Sequence, residues 1–385
     1  MDFDGFHRET VPQLLAGGRG TMAAAGLRRG DSLALVMPDG RGYAYRSTGD
    51  DLTVGEGSTA DTVAELDAAA FDDLMAERWS IFGLLYRDRV RMRAGEFSTF
   101  AGWEAPLQAL WYGRPIYGQL AVDALGSLDV HRSFTIDEDF GPFLARTGFA
   151  VLRGAFSSAE IEELNAVVSA ERATAAPGDG RSWWATQADG TEVCCRLTYM
   201  ANRSPLVARL AADERLARVA ALADPGLMPC TDRLDGMSVV IKNPDVVAGL
   251  SDLPWHRDCG VGGHPVLCPG LNVGIQLDRA DADNGQLHFL AGSHHHAAQQ
   301  GVPAGIDERA VVSVEADPGD VTVHFGHTLH AAPPPTSPTA GRKALYVGFH
   351  LAAAFDAVGP GQSYNDVLIT RDAGRVKSPD EVVAG

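Results

Sequence analysis

From Met237 to about Leu351 the chain is a succession of short apolar runs broken by Gly, Pro and Asn-Gly. Short strands at close spacing, with turn residues between them, are the pattern of a sandwich or small barrel in which alternate side chains share an interior. This run constrains the fold more than any other feature, because it commits the C-terminal half to sheet.

The segment upstream reads as helix, strand, helix. Phe140, Phe143 and Leu144 share a helical face, Phe149-Ala150-Val151-Leu152 is strand-like, and Ser157-Ser158-Ala159-Glu160 opens a helix through Ser169 with a capping-box start. Near the N-terminus, Ser32 to Met37, an Asp39-Gly40 turn, Tyr43 to Ser47 and Asp51 to Val54 predict an antiparallel meander. A helix capped by Asp67 and carrying Phe71, Leu74 and Met75 follows, and another covers Trp103 to Trp111. Periodicity fades between Ile116 and Glu138. With 385 residues and a typical domain of about 150, two domains are expected. The expected class is therefore α+β: an α+β domain over residues 1–130, a β-rich domain with flanking helices over 131–360, and a tail over 361–385, of which Lys377 to Gly385 is expected to be mobile.

Hydrophobic residues make up 45% and charged residues 21%, so a core is available. The net charge of -18 repels phosphate backbones and argues against nucleic acid as a partner. No apolar run reaches the roughly 20 residues of a spanning helix. Met1-Asp2-Phe3-Asp4 has neither the basic start nor the apolar stretch of a leader. A cytoplasmic protein is expected. The five cysteines, with no Cys-x-x-Cys spacing, read as reduced thiols.

Trp255-His256-Arg257-Asp258 sets an imidazole and a carboxylate two residues apart, the spacing at which strand side chains project from one face. A third group follows 74 residues after His256, where Gly319-Asp320 turns into the strand Val321 to Phe325 and then Leu329-His330. Two histidines and one carboxylate occupy three adjacent positions of iron(II) and leave three for a bidentate cosubstrate and dioxygen. Zinc tolerates the same donors, but a zinc hydrolase needs a further general base and has no use for an arginine beyond the triad. Arg342 is that arginine. It opens a strand in which Leu345, Val347, Phe349 and Leu351 share one face, while Arg342, Ala344, Tyr346, Gly348 and His350 share the other. An inward guanidinium suits the distal carboxylate of 2-oxoglutarate.

Together these residues resemble the phytanoyl-CoA dioxygenase family of iron(II)- and 2-oxoglutarate-dependent oxygenases. The resemblance extends to Asn284-Gly285-Gln286-Leu287-His288-Phe289-Leu290-Ala291-Gly292-Ser293-His294, similar to the family's Asn-Gly hairpin and Pro-Gly-Ser-His segment with Ala291 in place of Pro. It includes Ile241-Lys242-Asn243-Pro244 and Gly148-Phe149-Ala150-Val151-Leu152-Arg153, and covers roughly residues 137–352. It implies a double-stranded β-helix, or jelly roll of cupin type, with His256, Asp258 and His330 binding iron(II), dioxygen as a further cosubstrate, and Arg342 holding 2-oxoglutarate. Arg196 lies where the family places another basic cosubstrate contact. Ala332 departs from the Ser that members often carry two residues after the distal His, which removes a hydroxyl contact to the cosubstrate. Asp258 keeps the carboxylate, so the open chloride site of related halogenases is not expected.

Trp255, His264, Asn272 and Gln276 are candidate contacts for a small-molecule substrate; Gln276 reads equally as a core amide. His324 and His327 crowd the approach to His330, and His294, His295 and His296 form a run that offers metal donors of its own; against these ligand readings, His324 reads as packing within its strand and His294 as fixing a loop through hydrogen bonds. The expected reaction is oxidation, foremost hydroxylation, of a C–H bond in a small hydrophobic or amphipathic natural-product, lipid or steroid-like molecule, with release of succinate and carbon dioxide. Two other readings stay open: a non-catalytic lipid-binding or carrier protein, and a zinc-dependent hydrolase on a cupin-like barrel. Residues 30–114 weakly resemble sterol carrier protein 2-like domains, through the meander, Ala60 to Asp67 and Val90 to Glu96, which implies an apolar cavity; a domain that only packs or dimerises is the other reading.

Overall fold

The structure, a computed structural model, describes residues 2–234, 236–249, 253–260, 268–297, 299, 301–357, 366 and 372–376. His264 and Lys377 to Gly385 lie outside the described residues. The described chain forms two compact units. One holds the residues up to Leu120 together with those from His295 to Pro303, and the other holds Ala121 to His294 and Ala304 to Val376. None of the described helices is long and apolar enough to cross a membrane.

In the first unit, β1 (Ser32–Val36), β2 (Gly42–Ser47) and β3 (Leu52–Glu56) form the expected meander. Two further strands, β4 (Thr62–Leu66) and β5 (Val90–Ala94), complete a sheet of order β3-β2-β1-β4-β5. β4 runs parallel to β1 and four of its five residues are buried, so it lacks the alternation that marks a strand in sequence. The Asp67 carboxylate accepts the Ala70 N–H at 2.6 Å and starts the helix Ala68–Met75. Phe71 and Leu74 of this helix pack with Leu33, Leu35, Tyr43 and Tyr45 of the sheet. His7 is buried in the same core, where its Nδ1–H donates to Phe3 O and its Nε2 accepts the Tyr45 hydroxyl, both at 2.7 Å.

The second unit is built on two sheets. Its strands in chain order are β6 (Phe134–Thr135), β7 (Phe149–Arg153), β8 (Ser182–Gln187), β9 (Glu192–Leu197), β10 (Met228–Pro229), β11 (Ser238–Lys242), β12 (Val246–Ala248) and β13 (Leu253–His256). They continue with β14 (Leu271–Gln276), β15 (Leu287–Leu290), β16 (Val311–Val314), β17 (Val321–Phe325), β18 (His330–Ala332) and β19 (Arg342–His350). The larger sheet has the order β12-β8-β9-β11-β19-β14-β17-β7-β6, with β10 paired to β19; the smaller is β13-β18-β15-β16. The architecture is mixed, with helices and large sheets.

Strand alternation gives the larger sheet two unlike faces. Val239, Ile241, Val273, Ile275, Val321, Val323, Leu345, Val347 and Phe349 form one, buried against Leu144 of helix Gly141–Thr147, Ile161 and Leu164 of Ser158–Thr174, and Val219 of Glu214–Ala223. Full burial of each such side chain contributes roughly 1.5–3 kcal/mol. The helix Ser158–Thr174 starts with the expected capping box, Ser157 and Glu160, and runs five residues past Ser169. The opposite face carries Arg196, Lys242, Arg342, Tyr346, Asn272, Gln276, Thr322 and His324: the register sets Lys242 opposite Arg342 and Asn272 opposite His324, and the others share their face at even spacing along these strands or across from Val240. Gly274 lies among them because a Cβ there would stand 2.8 Å from both Thr322 Oγ1 and the Tyr346 ring.

Candidate metal centre

His256 ends β13 and His330 opens β18, and the two are direct cross-strand partners, so their rings project to one side with centroids 4.2 Å apart. Asp258 follows two residues after His256. Its backbone N–H and that of Cys259 donate to Gly326 O at 2.9 and 3.2 Å, which ties the end of β13 to the turn before His330. Both imidazoles are oriented through their backs: His256 Nδ1 donates to Pro254 O at 2.7 Å and His330 Nδ1 to Thr328 O at 2.9 Å. Each Nε2 is thereby turned to Asp258, 3.6 Å from Oδ1 for His256 and 3.6 Å from Oδ2 for His330. Among the described residues these three side chains form a group whose donor atoms all lie within 4.8 Å of one another.

The protonation states match a cation. Burial pushes the His330 imidazole down to about 3, so it is neutral with a lone pair on Nε2. Withdrawal from water opposes ionisation of Asp258, but His330, His256 and His324 outweigh it and hold the carboxyl well below its usual range. Two imidazoles and one carboxylate on one side of a point are a donor set that iron(II) accepts with coordination positions to spare. Zinc accepts the same atoms.

Two residues of the larger sheet reach the same carboxylate. Asn272 Nδ2 donates to Asp258 Oδ2 at 2.6 Å and His324 Nε2–H donates to it at 3.2 Å. Asn272 was a candidate substrate contact; its amide instead addresses the carboxylate. His324, read from sequence as packing, is buried beside His330, with ring centroids 4.4 Å apart, and bonds Asp258. No sequence signal distinguishes it until the pairing of β14 with β17 sets it opposite Asn272.

Arg342 is buried, with Nε donating to Gly285 O at 2.9 Å and Tyr346 beside its guanidinium. Lys242 is its cross-strand partner and is buried on the same face, with Nζ donating to Ala332 O at 2.5 Å. The chain thus brings an ammonium to the backbone of the residue whose hydroxyl is missing. Arg196 shares the face two strands from Arg342, bonds Ser238 Oγ at 3.2 Å and lies over the Trp183 ring at 4.9 Å. Gln276 is a buried amide whose Nε2 donates to Gly274 O and Thr322 Oγ1, both at 3.3 Å.

Trp255 is not brought to the metal-facing side. Strand alternation sends it opposite to His256, and its ring lies 6.5 Å from His288, which pairs with Ala331 while Phe289 pairs with His330. His294 stacks on Phe325 at 5.2 Å and donates to Ala145 O at 3.2 Å, a loop-fixing role. Ser293, quoted in sequence only within the segment similar to Pro-Gly-Ser-His, joins both arms of the centre: its hydroxyl accepts the N–H of Leu329, next to His330, and its carbonyl accepts Arg257, between His256 and Asp258.

The family model for phytanoyl-CoA dioxygenase (PhyH) matches residues 144–344. Among solved structures, AviO1 from Streptomyces viridochromogenes is similar at 25% identity over 56% of this chain and 94% of that one, with a TM-score of 0.42. The apo form of EctD from S. alaskensis is similar at 23% identity over 60% and 83%, with a TM-score of 0.46. The non-haem alpha-ketoglutarate-dependent carbocyclase SnoK from nogalamycin biosynthesis is similar at 19% identity over 60% and 96%, with a TM-score of 0.47. No curated protein matches the chain. The family match includes His256, Asp258, His330 and Arg342 and begins beyond residues 30–114, so it gives their sterol carrier resemblance no support.

Proposed function

We propose, for a chain that belongs to the phytanoyl-CoA dioxygenase family of iron(II)- and 2-oxoglutarate-dependent oxidoreductases, that it hydroxylates a C–H bond of a small hydrophobic or amphipathic natural-product, lipid or steroid-like molecule. Its cofactor is iron(II), and 2-oxoglutarate and dioxygen are its cosubstrates. The convergence of His256, Asp258 and His330 is the observation that carries the reading. In this reading the two sheets of the second unit are the halves of a double-stranded β-helix, with the centre held between them.

His256 Nε2, Asp258 and His330 Nε2 would hold the metal. Bound iron(II) supplies the coupling of 2-oxoglutarate decarboxylation, which yields succinate and carbon dioxide, to dioxygen-dependent oxidation of the substrate. Arg342 receives the distal carboxylate of 2-oxoglutarate, because a buried guanidinium keeps its charge and presents a planar fork to two oxygens. Arg196 adds a second basic contact on the same face. Phe289, buried beside His324 and His330, keeps water from that side of the centre. The net charge of -18 disfavours a CoA thioester, whose phosphates need a basic surface. The five cysteines are buried and none is joined in a disulfide, which supports a cytoplasmic, reducing location.

Succinate formation under air with iron(II), 2-oxoglutarate and a panel of apolar compounds tests the proposal. Turnover should require iron, fail with zinc and disappear in His330→Ala. Succinate at the metal-only background with every compound would favour a carrier, and hydrolysis restored by zinc would favour the hydrolase.

A further inference from the structure

Asp258 Oδ2 accepts two hydrogen bonds from a single cross-strand pair. Asn272 on β14 and His324 on β17 stand directly opposite each other, so their side chains leave the larger sheet together and meet the same oxygen, at 2.6 and 3.2 Å. His324 Nδ1 is buried and finds no partner among the described residues, which fits the tautomer with its proton on Nε2. Its ring is wedged between Phe289, at 5.3 Å, and His330, at 4.4 Å. Asp258 Oδ1 lies 3.6 Å from His256 Nε2 and Oδ2 lies 3.6 Å from His330 Nε2. Only Oδ2 also takes the Asn272 and His324 donors.

We propose that His324 and Asn272 are positioning residues that fix the orientation of the Asp258 carboxylate by holding its Oδ2. This rests on the triad reading above. A carboxylate that turns freely can chelate through both oxygens and take a coordination position that the keto acid or dioxygen needs. Two donors converging on Oδ2 stop the rotation and make chelation cost two hydrogen bonds in a partly buried setting. Partners of this kind change metal affinity about 10–100-fold when removed. His324 cannot do the same work as a ligand without giving up its bond to Oδ2, and the group of mutually close donor atoms among the described residues is His256, Asp258 and His330.

The test is an anaerobic titration of the full-length apoprotein with cobalt(II), read by its visible absorption, with the melting temperature of each apoprotein measured alongside. His324→Phe fills the space without donating, His324→Gln restores a donor, and Asn272→Leu removes the other bond in case His324→Phe fails to fold. We expect cobalt affinity to fall about 10–100-fold in His324→Phe and in Asn272→Leu, with a changed spectrum, and to recover largely in His324→Gln. The 2-oxoglutarate-induced spectral shift should weaken in the same two variants and return in His324→Gln. Folded His324→Phe and Asn272→Leu with wild-type affinity and spectrum would overturn the proposal. His330→Ala separates the premises: if it binds cobalt as tightly as wild type, or wild type binds none, the triad reading itself fails.

Discussion

The hydroxyl of Ser293 accepts the backbone N–H of Leu329 at 2.8 Å, in a place where both residues are fully buried. Because Ser293 O also takes Arg257 Nη2 at 3.0 Å, one residue spans the two chain segments that carry the candidate ligands. Ser293→Ala leaves the Leu329 N–H without its acceptor, which costs about 1–3 kcal/mol. Urea denaturation should show that loss, and His330, one residue away, should bind metal more weakly.

Gly148 has φ +87°, and a Cβ there would lie 2.5 Å from His294 Nδ1 and 2.6 Å from Thr328 Oγ1. Thr328 in turn orients His330 through its carbonyl and donates its hydroxyl to Gly148 O at 2.7 Å. Gly148→Ala combines a strained backbone with a displaced Thr328, and a loss of about 1–3 kcal/mol is expected. Thermal melting checks the stability, and cobalt titration checks whether the disturbance reaches His330.

Arg342→Lys keeps a charge but loses the planar fork. With one charge-assisted hydrogen bond worth about 1.5–3 kcal/mol, the KM for 2-oxoglutarate should rise about 10–100-fold. Metal affinity in the absence of 2-oxoglutarate should stay as in wild type, because Arg342 does not touch the triad. An unchanged KM would remove Arg342 from the cosubstrate site.

Burial lowers His7 to about 4, against 6.5 for the unperturbed group. Between these values the unfolded chain binds a proton that the folded chain does not, so stability rises with pH across that window and falls as the solution is acidified through it. The loss from pH 7 to pH 5 should be about 2 kcal/mol for this group. The melting temperature of the first unit should drop accordingly, and His7→Gln, which can still bond Phe3 O and Tyr45 but does not titrate in this range, should flatten the dependence. An equally steep dependence in His7→Gln would assign the effect to other groups.

Much of the candidate site was readable before any coordinates. His256 and Asp258 are two apart, Arg342 opens a strand whose apolar face is plain, and Ser157 with Glu160 is a capping box; each is a relation between near neighbours. The strand β4 was not readable, since a parallel strand buried on both faces shows no alternation. Nor was the surrounding of Trp255, a candidate substrate contact, readable: its ring lies 6.5 Å from that of His288, a residue of a different strand.

What the amino-acid order determined by itself is the set of residue types and the face each takes along its own strand, because backbone geometry repeats over two to four residues and is written locally. Which strands meet, and in what register, depends on groups far apart in the chain. Only the tertiary structure could therefore set His324 opposite Asn272, bring both to one oxygen of Asp258, seat Lys242 against Ala332, and return His295 to Pro303 to the first unit.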